Sequence, residues 1–109
     1  MKFDKINFVL NVLSSEVVLK GKQNLIKLFI VDSIADTQIS EVEYKLQIND
    51  GRTATTLVKD WATLEQLGDF FTDTYIPTFT NKSTIELLVR ITDMDGNMYA
   101  MSHNLQGVL

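Results

Sequence analysis

Oxygen-bearing side chains recur late in the chain, where Asp93, Asp95 and Asn97 surround Gly96 in the segment ITDMDGN. Side chains of this type at alternate positions bind calcium in helix–loop–helix sites, which also need glycine at the sixth loop position and glutamate at the twelfth. Counted from Asp93, the glycine falls at the fourth position and Asn104 is the twelfth residue. The segment therefore does not match that calcium loop.

Two interpretations of this segment remain open. In the first, Asp32 or Asp36 joins the three oxygen-bearing residues, because calcium takes about six to eight oxygen ligands. In the second, Asp95 and Gly96 close a hairpin and Asp93 accepts hydrogen bonds from nearby backbone amides. The sequence favours the turn, so we expect no metal and no other cofactor, with calcium as the alternative.

Other side chains that could do chemistry are few. The chain has no cysteine and one histidine, His103. Its neighbour Ser102 would point to the opposite face of a strand, so the two cannot form a nucleophile–base pair. Glu41 and Glu43 share one strand face with Lys45 and are expected to be solvated there. Since no phosphate-binding or nucleophile motif occurs either, we expect that the protein is not an enzyme.

Two groups of residues are candidates for contacts with a partner. Residues 1–27 carry a charge of +3, although the whole chain has a net charge of −4. This acidic balance argues against nucleic acid. The basic candidates are Lys20, Lys22 and Lys27. The aromatic candidates are Phe70, Phe71, Tyr75 and Phe79. Alternatively, the lysines protect an exposed edge strand and the aromatic side chains fill one end of the core.

The elements that position these residues are mostly strands. Apolar and polar residues alternate in ISEVEYKLQIND, in STIELLVRITD and near both ends of the chain, as they do in strands with one buried face. The segment NLIKLFIVD is apolar on both sides, which predicts a strand covered on both faces. Asp-Gly pairs mark hairpin turns. We expect about six or seven strands in one domain, residues 1–109.

The middle of the chain departs from strand periodicity. Apolar residues three and four apart follow one another there: Leu57, Trp61, Leu64 and Leu67. Such spacing is typical of one face of a helix. It predicts a short helix within about residues 60–70, inside a long crossover that ends near Pro77.

Three segments appear in an order shared with a known family. Val31-Asp32 ends a strand, residues 39–46 read I-x-x-V-x-Y-x-L, and residues 89–97 read V-x-I-x-D-x-D-G-N before the last strand. In this respect most of residues 17–105 resembles the bacterial and phage immunoglobulin-like domains. The chain lacks the cysteine pair and the tyrosine corner of antibody domains, and Trp61 lies in the crossover. The resemblance implies an all-β, antiparallel immunoglobulin-like sandwich.

The expected function is structural. Asn7 and Asn11 interrupt the first apolar run, and no run is long enough to span a membrane, so we expect neither a secretory signal nor a membrane partner. We predict a small accessory or decoration protein of a phage virion, made in the host cytoplasm, whose partner is a capsid or other virion protein. The alternative is an adhesion or glycan-binding module of a bacterial surface or secreted protein, which would use exposed Trp61 or Tyr75.

Overall fold

The computed structural model describes residues 8–32, 39–49, 55–79 and 83–108, and the regular elements among them are all β-strands. The strands are β1 (Phe8–Val12), β2 (Val17–Leu19), β3 (Asn24–Asp32), β4 (Ile39–Asn49), β5 (Thr55–Thr63), β6 (Glu65–Leu67), β7 (Phe70–Tyr75), β8 (Ser83–Asp93) and β9 (Met98–Val108). The described residues thus contain nine strands where about seven were expected. The difference comes partly from short strands such as β6.

The strands form two sheets. One has four strands in the order β1-β3-β7-β6, and the other has five in the order β2-β9-β8-β4-β5. Neighbouring strands are antiparallel except for β2, which pairs with β9 in parallel. The predicted all-β architecture of two sheets is confirmed, whereas the expectation of purely antiparallel pairing is wrong at β2.

Strand β8 occupies the interior of the five-stranded sheet and supplies the centre of the core. Its alternate residues Ile85, Leu87, Val89 and Ile91 are all 0% exposed. Ile26 and Leu28 of β3 are buried in the same core and come from the other sheet. Burying each of these side chains contributes about 2 kcal/mol, which makes the alternation in sequence decisive for the fold.

The predicted helix at about residues 60–70 is wrong. That segment contains the end of β5, all of β6 and a turn at Gly68, whose φ is +62°. The pairing of β5 with β4 shifts register twice, between Tyr44 and Leu46 and again after Leu46. Each shift is a β-bulge that adds one residue to β5, so its side chains no longer follow a strict period of two. Apolar residues consequently fall three and four apart without sharing a helical face.

The exposure of the three spaced leucines supports this explanation. Leu64 is buried where the chain passes from β5 to β6, but Leu57 and Leu67 are about half exposed. They share no buried face on which a helix could pack. None of the described residues forms a helix of sufficient length and hydrophobicity to cross a membrane.

A buried polar contact links the two sheets. Tyr44 of β4 is fully buried, and its hydroxyl donates a hydrogen bond to Asp73 Oδ2 on β7. The rings of Tyr44 and Tyr75 lie 6.0 Å apart at a tilted angle. Burial and then the contact with Asp73 raise the pKa of Tyr44 above its usual range, and burial raises the pKa of Tyr75 to about 12. Both phenols therefore stay neutral at ordinary pH.

Replacing Tyr44 with phenylalanine removes the hydrogen-bond donor and leaves Asp73 facing the interior without it. We expect Tyr44→Phe to lower the free energy of unfolding by about 2 kcal/mol, the usual size for a hydrogen bond to a charged group. Urea unfolding at neutral pH measures this difference. Tyr75→Phe is the matched control, because its hydroxyl has no hydrogen-bond partner among the described residues. Equal losses for the two variants would contradict a specific role for the Tyr44 contact.

Candidate functional site

The segment with calcium-like spacing forms the hairpin loop between β8 and β9. Asp93 is buried, and its Oδ1 accepts hydrogen bonds from the backbone N–H groups of Asp95 and Asn97, both at 2.9 Å. Its Oδ2 accepts from Asn97 Nδ2 at 3.2 Å and from the Tyr99 hydroxyl at 3.1 Å. Gly96, with a φ of +86°, donates its N–H to the Asp93 carbonyl. This is the geometry of a tight hairpin loop that needs a glycine at its end.

These contacts set the charge state of Asp93. Burial raises the pKa of its carboxyl group, but hydrogen bonds from Asn97, Tyr99 and Asp95 outweigh that effect and hold the pKa below its usual value. Within the described part of the chain, no group of three or more His, Cys, Asp or Glu side chains is arranged to hold a metal. Asp36 lies outside the described residues, and so does the side chain of Asp32. The contacts give Asp93 a structural role in the loop.

Replacing Asp93 with asparagine tests this role. We expect Asp93→Asn to lower the melting temperature at neutral pH, because the charged carboxylate accepts four hydrogen bonds. Because the pKa of Asp93 is lowered in the folded state, its ionised carboxylate stabilises the fold at pH values above about 4, the ordinary pKa of a carboxyl group. This stabilisation is lost as the pH falls below that value. The difference in melting temperature between the wild type and Asp93→Asn should therefore become smaller at acidic pH.

The control for that experiment is Asp95→Asn, which makes the same charge change in the same exposed loop. Thermal unfolding across a pH series should show a smaller, less pH-dependent effect for Asp95→Asn. Added calcium should leave the wild-type melting temperature unchanged. A clear rise in the wild-type melting temperature with calcium would contradict a purely structural role for Asp93. So would the same pH dependence of the melting temperature in both variants.

The remaining candidates for chemistry make structural contacts as well. His103 Nε2 lies 2.8 Å from Glu16 Oε1, which links β9 to the segment that precedes β2. Ser102, on the opposite face of β9, is exposed. On the outer face of the five-stranded sheet, Glu43 pairs with Arg90 at 3.0 Å. Glu41 on the same strand accepts a hydrogen bond from Thr63.

The structure buries three of the aromatic candidates in the core and places the fourth on the outer face of the four-stranded sheet. Phe71, Tyr75 and Phe79 are buried in the core, so they are not available to a partner at the surface. Strand alternation explains the division, since Phe71 and Tyr75 lie on the inward face of β7 and Phe70 lies on the outward face. Phe70 is half-buried, and its ring lies 6.0 Å from that of Phe29.

The alternative glycan site required an exposed Trp61 or Tyr75. Tyr75 is buried. Trp61 is half-buried on the outer face of the five-stranded sheet, where the Arg90 guanidinium lies 4.1 Å from its ring centroid and Lys45 Nζ lies 5.8 Å away. A sugar that stacked on Trp61 would have to share the indole with these cations.

The three basic candidates lie on two different surfaces. Lys27 lies on the outward face of β3, with its Nζ 4.2 Å from the ring centroid of Phe70. Lys20 and Lys22 are exposed in the turn between β2 and β3. The sequence grouped all three lysines, whereas in the structure Lys20 and Lys22 share one turn and Lys27 lies on a different surface.

Hydrogen bonds fix the turn that carries Lys20 and Lys22. The side chain of Asn24 accepts from the N–H of Leu19 and donates to the carbonyls of Leu19 and Lys22, at 2.9–3.0 Å. Gly21, with a φ of +69°, donates to the carbonyl of Pro77 at 3.1 Å. Sequence reasoning missed Asn24, although an asparagine shortly after a glycine is a turn signal.

This turn presents apolar side chains beside its lysines. Leu19 is about half exposed, and Ile76, which precedes the Pro77 bonded to the turn, is 63% exposed. We call this surface the basic corner. Its members are Leu19, Lys20, Lys22 and Ile76.

Three of the sheet edges are protected against further strands. The outward N–H of Val17 bonds to Ser15 Oγ, and the N–H and carbonyl of Leu19 bond to the side chain of Asn24. Edge strand β5 is bulged, and edge strand β6 has three residues. These are common devices against strand addition. Side-chain surfaces are therefore better docking sites than these three edges.

Comparisons with known proteins reveal the fold. No protein-family model and no curated protein sequence matches the chain. Among solved structures, superoxide reductase (neelaredoxin) from Ignicoccus hospitalis is similar with a TM-score of 0.59 and 9% identity, over 91% of this chain and 80% of that one. Murine CRIg is similar with a TM-score of 0.51 and 12% identity, over 93% of this chain and 96% of that one.

The chain has an immunoglobulin-like β-sandwich fold. This confirms the architecture that the resemblance implied, while a bacterial or phage branch of the fold is not shown. The prediction that the protein is not an enzyme, made from the absence of catalytic motifs, is contradicted, because the superoxide reductase is an enzyme with a similar fold. At 9% identity the likeness concerns the fold alone, so the reductase activity is a property of that protein.

Proposed function

We propose that this chain is a docking protein that binds an acidic protein surface through the basic corner. The role that we favour is a small accessory or decoration protein of a phage virion, made in the host cytoplasm and attached to a capsid or tail protein. One observation supports this most. Exposed Lys20 and Lys22 lie beside the exposed apolar side chains of Leu19 and Ile76 in a turn that is fixed by hydrogen bonds.

The charge of the corner suits an acidic partner. The whole chain has a net charge of −4, so Lys20 and Lys22 form a local basic site on an acidic molecule. Complementary charges accelerate association and select against wrong partners. The same net charge would repel an acidic partner from most other surfaces of the chain, which orients the encounter towards the corner.

The rigidity of the corner supports affinity. Asn24 holds Leu19 and Lys22, the carbonyl of Val108 accepts the N–H of Lys20, and Pro77 holds Gly21. Because the backbone is already ordered, binding loses less conformational entropy than it would for a mobile loop. Burial of Leu19 and Ile76 then adds about 25 cal/mol for each Å² of apolar surface removed from water.

The alternative, an adhesion or glycan-binding module of a bacterial surface or secreted protein, is the second candidate. Its remaining support is Trp61 on the outer face of the five-stranded sheet. Since the Arg90 guanidinium already lies 4.1 Å from the centroid of that ring, we favour docking to protein.

Particle binding tests the proposed function. Purified protein is mixed with phage particles that lack it, and the bound fraction is measured after sedimentation. We expect wild type to bind and Lys20→Gln/Lys22→Gln to bind about tenfold more weakly, with less sensitivity to salt. The matched control is Ser102→Glu/Asn104→Glu, which lowers the net charge by the same amount at exposed positions of β9. This control should bind nearly as wild type does.

Two results would contradict the proposal at different levels. If the wild-type protein does not bind the particles, the virion role is wrong. If the two double variants lose binding equally, the basic corner is not the docking surface.

A further inference from the structure

The outer face of the four-stranded sheet has an apolar pattern that the described part of the chain does not cover. Leu28 on the inner face of β3 is 0% exposed, whereas Leu25 on the outer face is 52% exposed. Phe29, also on the outer face, is half-buried. A strand that is apolar on both sides is usually covered on both sides. The sequence of β3 therefore predicts a second covering layer.

Neighbouring strands extend this uncovered surface. Leu13, directly after β1, and Leu67 on β6 are each about half exposed, and Phe70 on β7 contacts Phe29. We call this surface the apolar face. Its members are Leu13, Leu25, Phe29, Leu67 and Phe70.

The outer face of the other sheet differs in character. Glu43 pairs there with Arg90 at 3.0 Å, and Gln47 Nε2 donates to Glu86 Oε1 at 2.9 Å. Polar side chains that pair with each other across strands are typical of a sheet face in water. The outer face of the five-stranded sheet thus carries paired polar side chains, although Leu57 and Met98 on that face are also about half exposed.

Two opposite charges lie across the apolar face in one row. Lys27 of β3 is paired in register with Thr72 of β7, and Thr72 is paired with Glu65 of β6. The charges consequently flank β7 on its two sides. In the next row, Phe70 of β7 lies between Phe29 and Leu67.

We propose that a second copy of this chain packs on the part of the apolar face formed by Phe29, Leu67 and Phe70. A two-fold axis along β7 places Lys27 of each copy against Glu65 of the other, and it places Phe29 against Leu67. Both charge pairs are formed by the same operation, as an isologous interface requires. The Phe70 rings of the two copies meet at the axis.

The positions of the two charges favour a second copy of this chain over a partner of different sequence. A partner of different sequence would need its own acidic and basic groups at matching positions, whereas a second copy supplies both through Lys27 and Glu65. The interface is small, because β6 has three residues and β7 has six. Small interfaces are weak, so the dimer forms at high concentration, as on a crowded surface. This inference concerns a surface other than the basic corner.

Sedimentation equilibrium of the full chain tests the dimer. We expect wild type to dimerise at protein concentrations below ~1 mM, which suits a small interface. Lys27→Glu and Glu65→Lys each place like charges opposite one another at both contacts. The dimer affinity of each variant should therefore fall at least about tenfold. An equimolar mixture of these two variants should recover wild-type affinity, because both contacts in the mixed dimer join opposite charges.

The controls separate this inference from misfolding and from particle binding. Lys22→Glu makes the same charge change away from the apolar face and should dimerise as wild type does. Circular dichroism and melting curves should show that every variant is folded, and Lys27→Glu should still bind particles through the basic corner.

Three results would overturn the proposal. They are a monomeric wild type at ~1 mM, single variants that dimerise as wild type does, and a mixture of the two variants that does not recover affinity.

Discussion

The burial of alternate β8 side chains between the two sheets is the constraint on which the rest of the structure depends. Strand β8 lies between β4 and β9, and its inward residues from Ile85 to Ile91 are fully buried. A slip of one residue would turn this entire row towards solvent. The register of β8 therefore fixes which faces of β4 and β9 point inward, and with them the positions of Tyr44 and the β8–β9 loop.

Polar groups near this core hold the strands and the β8–β9 loop in place. Tyr44 joins the sheets through Asp73, and Asp93 organises the hairpin that returns β8 into β9. Each of these contacts satisfies a side chain that would be costly to bury alone. The basic corner and the apolar face lie on the surface of the molecule and differ in charge.

Local periodicity predicted the strands well, because β3, β4 and β8 each bury a continuous row of alternate residues. The Asp-Gly pair predicted the turn at Asp95 and Gly96. The false helix at about residues 60–70 arose because the bulges in β5 change the side-chain spacing, and they are determined by pairing with β4, which is distant in sequence. Local pattern carries no information about such pairing.

The candidate surfaces were harder to predict. Lys20 and Lys22 were identified from charge, but the clamp formed by Asn24 depends on how β2 meets β3. Whether Phe70 or Phe71 faces solvent depends on which side of β7 meets the other sheet. The sequence did show that β3 is apolar on both sides, and this observation leads to the proposed dimer.

The most direct test is the exposure of leucine methyl groups to a soluble paramagnetic agent, measured by NMR on dilute protein. The structure predicts strong relaxation of the Leu25 and Leu67 methyl groups and little relaxation of those of Leu28, Leu46 and Leu87. Equal protection of Leu25 and Leu28 in the dilute sample would mean that the outer face of β3 is already covered within one chain, which would contradict this account.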